Sequence, residues 1–179
     1  MTTHAALPGF ESDSDLSPST GSPEGARRAL RRAVTLLSRR ALTTSELRKR
    51  LEKDFAAEDI QRALETLQSS GYLNDGVVAA SYVSNVRARE RSTTLLRREL
   101  AQRGVDPETI DASLEEHDDL DAAVAAATRR WRALRRLEPE VARRRLRDYL
   151  ARRGFARAAV ESALHAVSVE DSEGALTSS

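Results

Sequence analysis

The side chains best placed to do chemistry in this chain are arginines. They fall together at Arg97-Arg98 and Arg143-Arg144-Arg145, and Arg48-Lys49-Arg50 holds the matching place upstream. A guanidinium is a planar fork of donors that grips carboxylate or phosphate oxygens through two parallel hydrogen bonds. Of 29 basic residues only Lys49 and Lys53 are lysine. That bias fits recognition of anionic oxygens, and fits GC-rich coding equally well. The candidate contacts with an anionic partner are Arg48, Lys49, Arg87, Arg89, Arg97, Arg98, Arg103, Arg143, Arg144, Arg147 and Arg152. Part of this set has a plainer origin. Bases at helix C-termini and acids at N-termini complement the helix dipole, which accounts for Arg103, Arg152, Asp106 and Glu108. It accounts less well for the mid-helix clusters.

Catalytic chemistry is poorly represented. His4, His117 and His165 have no second histidine at metal-ligand spacing. His117, beside Asp118 and Asp119, reads as a solvated connection. There is no glycine-rich phosphate loop, nucleophile elbow or His-Glu-x-x-His. Cysteine is absent, which removes disulfides and thiolate chemistry. Trp131, Tyr72, Tyr82 and Tyr149 sit in apolar surroundings and read as core. The expectation is a binding protein that is not an enzyme, uses no cofactor and holds no metal. With no basic-then-apolar leader and no apolar run of about 20 residues, it is expected in the cytoplasm, away from membranes.

The arginines are positioned by a repeat. Leu96, Leu100, Arg103, Gly104, Val105, Ile110 and Leu114 recur fifty residues later as Leu146, Leu150, Arg153, Gly154, Phe155, Val160 and Leu164. A weaker copy lies at Leu47, Leu51, Phe55, Ile60 and Leu64, one residue short before Phe55 and without the glycine. Such a period signals tandem supersecondary units, each too small to bury its apolar face alone. Ala, Leu, Arg and Glu dominate after residue 25, so the units are helical.

Three sets of three helices follow, an all-α fold of helix-turn-helix-like units spanning 26–71, 72–117 and 118–167. The first helix of set one, about 26–40, carries Leu30, Val34, Leu36 and Leu37. Thr43 or Thr44 caps the second, and the third ends at Gly71. In set two, Asn74 or Asp75 caps a helix running to about Arg89, with Val78, Tyr82, Val83 and Val86 inward. Ser92 or Thr93 opens the next helix, and Asp106-Pro107-Glu108 starts the third. Set three has a long first helix bearing Leu120, Val124, Trp131 and Leu134, and Pro139 begins its second. Residues 1–25 and 168–179 are polar and apolar-poor and are expected to be disordered tails.

The net charge of +1 hides a segregation. Residues 1–25 total −4, and the rest totals +5. Residues 27–53 hold ten bases and two acids; residues 106–121 hold eight acids and no base; residues 129–153 hold eleven bases and three acids. Basic second helices thus alternate with acidic third helices. Stacking would line the bases into one stripe, offset once per unit.

These motifs resemble the RecX family, bacterial regulatory proteins that bind RecA recombinase. The resemblance covers about residues 26–167. It rests on Leu36-Leu37-Ser38-Arg39-Arg40 leading to Thr44-Ser45-Glu46-Leu47-Arg48-Lys49-Arg50-Leu51, and on Leu64 with Leu67. Gly71-Tyr72-Leu73-Asn74-Asp75, Tyr82-Val83, Arg97-Arg98-Glu99-Leu100 and Arg103-Gly104-Val105-Asp106 complete it. Asp54 and the one-residue deletion depart from the Lys-Gly the family carries before Phe55. Gly76-Val77-Val78-Ala79-Ala80 lacks the charged and aromatic residues often found there. The resemblance implies three repeats in an elongated, curved array that docks in the groove of the RecA–DNA filament. It implies damping of strand exchange, ATP hydrolysis and coprotease activity in DNA repair and the SOS response. It also implies weak, non-specific contact with single- and double-stranded DNA, by a monomer. The competing expectation from the residues alone is a helix-turn-helix DNA-binding or transcriptional regulatory module.

Overall fold

A computed structural model describes residues 22–85 and 88–176, with side chains to residue 169. Unit one comprises α1 (Pro23–Leu37), α2 (Thr44–Leu51) and α3 (Ala57–Ser69). Unit two comprises α4 (Asp75–Val83), a 3-10 turn at Ala88–Glu90, α5 (Thr93–Gln102) and α6 (Pro107–Leu114). Unit three comprises α7 (Asp119–Leu134), α8 (Pro139–Arg152) and α9 (Arg157–Leu176). The described residues contain helices and no strand.

Each unit has its own core. Leu42, Leu47, Leu51, Ile60, Leu64, Leu67 and Leu73 fill the first. Leu96, Leu100, Val105, Ile110 and Leu114 dominate the second, and Leu134, Leu146, Leu150, Phe155, Val160, Leu164 and Val167 the third. The first helices contribute alanine where the apolar spacing suggested larger groups. Ala29 and Ala33 of α1 are fully buried, whereas Val34 is 51% exposed. Ala122, Ala123, Ala126 and Ala127 of α7 are buried, and Leu120 is 46% exposed. A methyl side chain lets α3 and α9 approach the first-helix backbones closely, so the stripe is chosen for small volume. Trp131 and Tyr149 pack against the third core, as expected, but Tyr72 is 77% exposed.

Several boundaries differ from the sequence reading. Ser22 caps α1 by accepting a hydrogen bond from the Gly25 N–H at 2.9 Å, so helix begins at Pro23, inside the span read as tail. The rest of that N-terminal span, 1–21, lies outside the described residues. α4 stops at Val83, and the chain reaches Glu90 through the 3-10 turn, not by a continuous helix to Arg89. α9 continues to Leu176, past the point where composition suggested a C-terminal tail. Thr43, Asn74 and Ser92 are the caps, each accepting from the N–H three residues on. Asp106 does the same for Thr109 at the start of α6.

Gly104 and Gly154 end the second helices of units two and three with positive φ, +77° and +83°. The Val105 N–H donates to the Leu100 carbonyl, and the Gly104 N–H to that of Ala101. This closes the last turn and turns Val105 into the core. In unit one the chain instead turns through 52–54 with no glycine, and Phe55 N–H donates to the Leu51 carbonyl.

Candidate interaction surface

The units are joined by a junction whose chemistry recurs. At the N-terminus of α2, the Thr43 hydroxyl donates to the Arg103 carbonyl at 2.6 Å. The Thr44 N–H donates to Asp75 at 2.8 Å. One unit on, the Ser92 N–H donates to the Arg153 carbonyl at 3.2 Å, and the Thr93 N–H donates to Asp119 at 2.6 Å. In both places the start of a second helix receives the next unit: an N–H donates to an Asp at the start of its first helix, and the cap residue, through the Thr43 hydroxyl or the Ser92 N–H, donates to the carbonyl closing its second. These pairings satisfy groups that a helix start otherwise leaves to water.

The recurring Arg-Gly is part of that junction. A Cβ on Gly104 would overlap the Ser45 side chain, and one on Gly154 would lie 2.5 Å from Ser92 Oγ. Arg103 itself turns back on unit one and forms a forked pair with Glu46, at 3.0 and 3.2 Å. Both side chains are about one-fifth exposed. Burial works to raise the Glu46 pKa, but the hydrogen bond and charge of Arg103 and the Thr43 N–H outweigh it, and the carboxyl sits below its ordinary value. The Glu46 hydrogen bond raises Arg103. In the second junction no described acid forms an ion pair with Arg153. It lies over the Tyr149 ring at 4.3 Å and donates to the Tyr149 hydroxyl at 2.6 Å.

The candidate cations therefore separate into distinct groups. Arg103 belongs to the junction. Three others occupy one register and pair with the third helix of their own unit. Arg48 donates to Gln61 at 2.7 Å, Arg97 to Asp111 at 2.5 Å, and Arg147 to Glu161 at 3.1 Å. Arg143 lies 3.6 Å from Glu140. Lys49, Arg89, Arg98, Arg144 and Arg152 are exposed and form no ion pair with a described residue. Arg87 lies outside the described residues. Within the stripe expected from the second helices, acids of the third helices thus compensate Arg97 and Arg147, and Arg98 and Arg144 are left facing outward.

Sequence reasoning passed over a denser patch. Arg27, Arg28, Arg31 and Arg32 of α1 are exposed and make no salt bridge with a described residue. Their i, i+1, i+4, i+5 spacing puts them on one face, which was the available signal. It also misplaced His117. That side chain is 7% exposed, and its Nε2 lies 2.8 Å from the Arg91 carbonyl, so Nε2 carries the proton and donates. His117 fastens the segment before α5 to the start of α7. It lines an open cleft of about 720 Å³ with Ala80, Ser84, Arg89, Glu116 and Asp121. Among the described residues no group of three His, Asp or Glu side chains is placed to hold a metal ion. No helix among them is long and apolar enough to cross a membrane.

Three family models match in order along the chain. The first, second and third three-helix domains of RecX match residues 29–67, 74–114 and 117–164. The chain is 38% identical over 133 residues to a protein named regulatory protein RecX from Trichlorobacter lovleyi, covering 69% of this chain and 84% of that one. It is 37% identical over 127 residues to the protein of the same name from Chromobacterium violaceum, covering 69% and 80%. The crystal structure of RecX from Lactobacillus salivarius superposes with a TM-score of 0.68 at 17% identity, over 82% of this chain and 98% of that one, and shares the fold.

Proposed function

The chain belongs to the RecX family of regulatory proteins, and from that premise we propose that it binds the RecA–DNA filament and restrains RecA's strand exchange, ATP hydrolysis and coprotease activity. It acts in the cytoplasm, as a monomer, by occupying surface and not by catalysis. The observation that carries this reading is the pairing of fixed junctions with outward cations on successive second helices. Two junctions of the same chemistry hold the three units in a set order. Arg98 and Arg144 remain exposed and unpaired on successive second helices. A filament presents the same subunit surface again and again, so contacts spread over successive units engage several subunits at once. Tethered contacts gain avidity without any one of them being strong. Charge complementarity of this sort mainly sets orientation and association rate.

The acidic side has a role in the same reading. Glu116, Asp118 and Asp121 rim the cleft between units two and three, a surface suited to a basic segment of the filament protein. It also weighs against the alternative of a helix-turn-helix reader of DNA sequence. The third helix, which would enter the groove, carries Glu108 and Asp111 in α6 and would be repelled by phosphate. DNA contact is accordingly auxiliary, weak and steeply salt-dependent.

The experiment is RecA filament assembly and ATP hydrolysis on single-stranded DNA with the protein added below stoichiometry. The wild-type chain should suppress both. Arg98→Glu with Arg144→Glu should keep its helicity and suppress them much less. No effect of the wild-type chain on either would refute the proposal.

A further inference from the structure

The α1 arginine face is a dense cluster of exposed cations without ion pairs to described residues. Arg27, Arg28, Arg31 and Arg32 lie within two turns, and all four are exposed. The carboxylate of Glu24, one turn away on the same helix, forms no ion pair with any of them. Four guanidiniums left bare side by side repel one another, so an anionic surface that covered them would be held by more than its own contacts.

The chain carries such a surface immediately before them. Residues 1–21 contain Glu11, Asp13 and Asp15 and no lysine or arginine. They run directly into Ser22, the cap of α1. Reach is not limiting. Asp15 is seven residues from Ser22, about 23 Å of extended chain, and Glu11 eleven, about 36 Å. The arginines lie only about 6–14 Å along the helix from Pro23. Seven residues are long enough to reach back over two helical turns, and Pro18 and Gly21 are residue types that favour turns. A tether this short holds the carboxylates at an effective concentration in the millimolar range. Contacts too weak to matter between separate molecules become competitive at that concentration.

We infer that the acidic segment 1–21 is an internal competitor for the arginine face of α1, pairing Glu11, Asp13 and Asp15 with Arg27, Arg28, Arg31 and Arg32 and screening that face from external phosphate chains. The inference rests on the proposed auxiliary contact with DNA. Its test uses DNA without RecA, so it fails separately from filament binding.

The measurement is the affinity of the full-length chain for a short labelled DNA duplex across a salt series. The probe variant is Glu11→Gln, Asp13→Asn and Asp15→Asn together. It should bind about three- to tenfold tighter than wild type at low salt, and the gap should close as salt screens the pairs. The control is the same triple change in a chain already carrying Arg27→Gln, Arg28→Gln, Arg31→Gln and Arg32→Gln. There, removing the carboxylates should change affinity little, because the face they cover is gone. A gain that persists in the Gln background would mean the carboxylates act through overall charge or on another surface, which overturns the inference. So would equal affinity of wild type and the triple variant, or no DNA binding by any of them.

Discussion

Gly104→Ala tests whether the Arg-Gly recurrence is a junction between units. The same exchange at Gly71 supplies the reference. Gly71 has φ +74° with nothing within 4 Å of an added Cβ. An alanine there meets only the left-handed backbone strain, about 1–2 kcal/mol, offset by about 0.4–1 kcal/mol from the stiffer unfolded chain. Gly104 has the same backbone, φ +77°, but its Cβ would overlap the Ser45 side chain. Relief requires units one and two to separate. Separation releases the Thr43–Arg103 hydrogen bond, about 0.5–1.5 kcal/mol, and the forked Arg103–Glu46 pair, up to about 3 kcal/mol for a charged hydrogen bond. The second figure is an upper bound because both side chains are about one-fifth exposed. Gly104→Ala should therefore cost about 2–4 kcal/mol more than Gly71→Ala. Urea denaturation should be followed by far-UV circular dichroism and by the fluorescence of Trp131, the single tryptophan, which sits in unit three. Circular dichroism should show an early phase from unit one, and the Trp131 transition should hardly move. Adding Ser45→Gly removes the overlapped atoms and should restore about 1 kcal/mol or more as a coupling. If Gly104→Ala and Gly71→Ala cost the same, and Ser45→Gly rescues nothing, the junction assignment is wrong.

Other outcomes follow from the same contacts. The Glu46 carboxyl is held below its ordinary value, so its contribution is complete above the unfolded pKa near 4.3 and is lost as pH falls through the lowered folded value. Wild type and Glu46→Gln should therefore differ in urea stability at neutral pH and converge in acid; a constant difference would exclude the linkage. Asp119→Ala removes the acceptor of the Thr93 N–H and hydroxyl and should destabilise the second junction by about 1–2 kcal/mol, read as a lower midpoint of the Trp131 transition. Arg97→Ala and Arg147→Ala remove pairs that are about half or more exposed, so each should change stability by less than about 1 kcal/mol. In filament assays they should matter less than Arg98→Ala and Arg144→Ala, whose side chains are not already engaged.

The units were legible because their large leucines keep a fixed period, and Thr43, Ser92 and Asp106 announce helix starts within three residues. What was hidden lies between units. Arg103 read as a cation near a helix end, which it is, but the carboxylate it pairs with is Glu46, 57 residues earlier. No local spacing reports such a partner. The missing glycine of unit one is compatible with the same geometry. Gly104 and Gly154 are needed where a second-helix turn closes against the unit before it, and the turn at 52–54 has no described unit before it to meet. Alanine spacing signals helix propensity alone, yet the alanines are the contact surface of α1 and α7. His117 read as solvated because its neighbours are acidic, whereas its acceptor is a backbone carbonyl 26 residues away.

On the proposed reading, the three units engage the RecA filament through outward cations such as Arg98 and Arg144. Co-sedimentation with RecA filaments on single-stranded DNA tests it most directly. The wild-type chain should pellet with the filaments, and Arg98→Glu with Arg144→Glu should stay largely in the supernatant while keeping its circular dichroism. A wild-type chain that remains in the supernatant, or a variant that pellets equally well, would contradict the account.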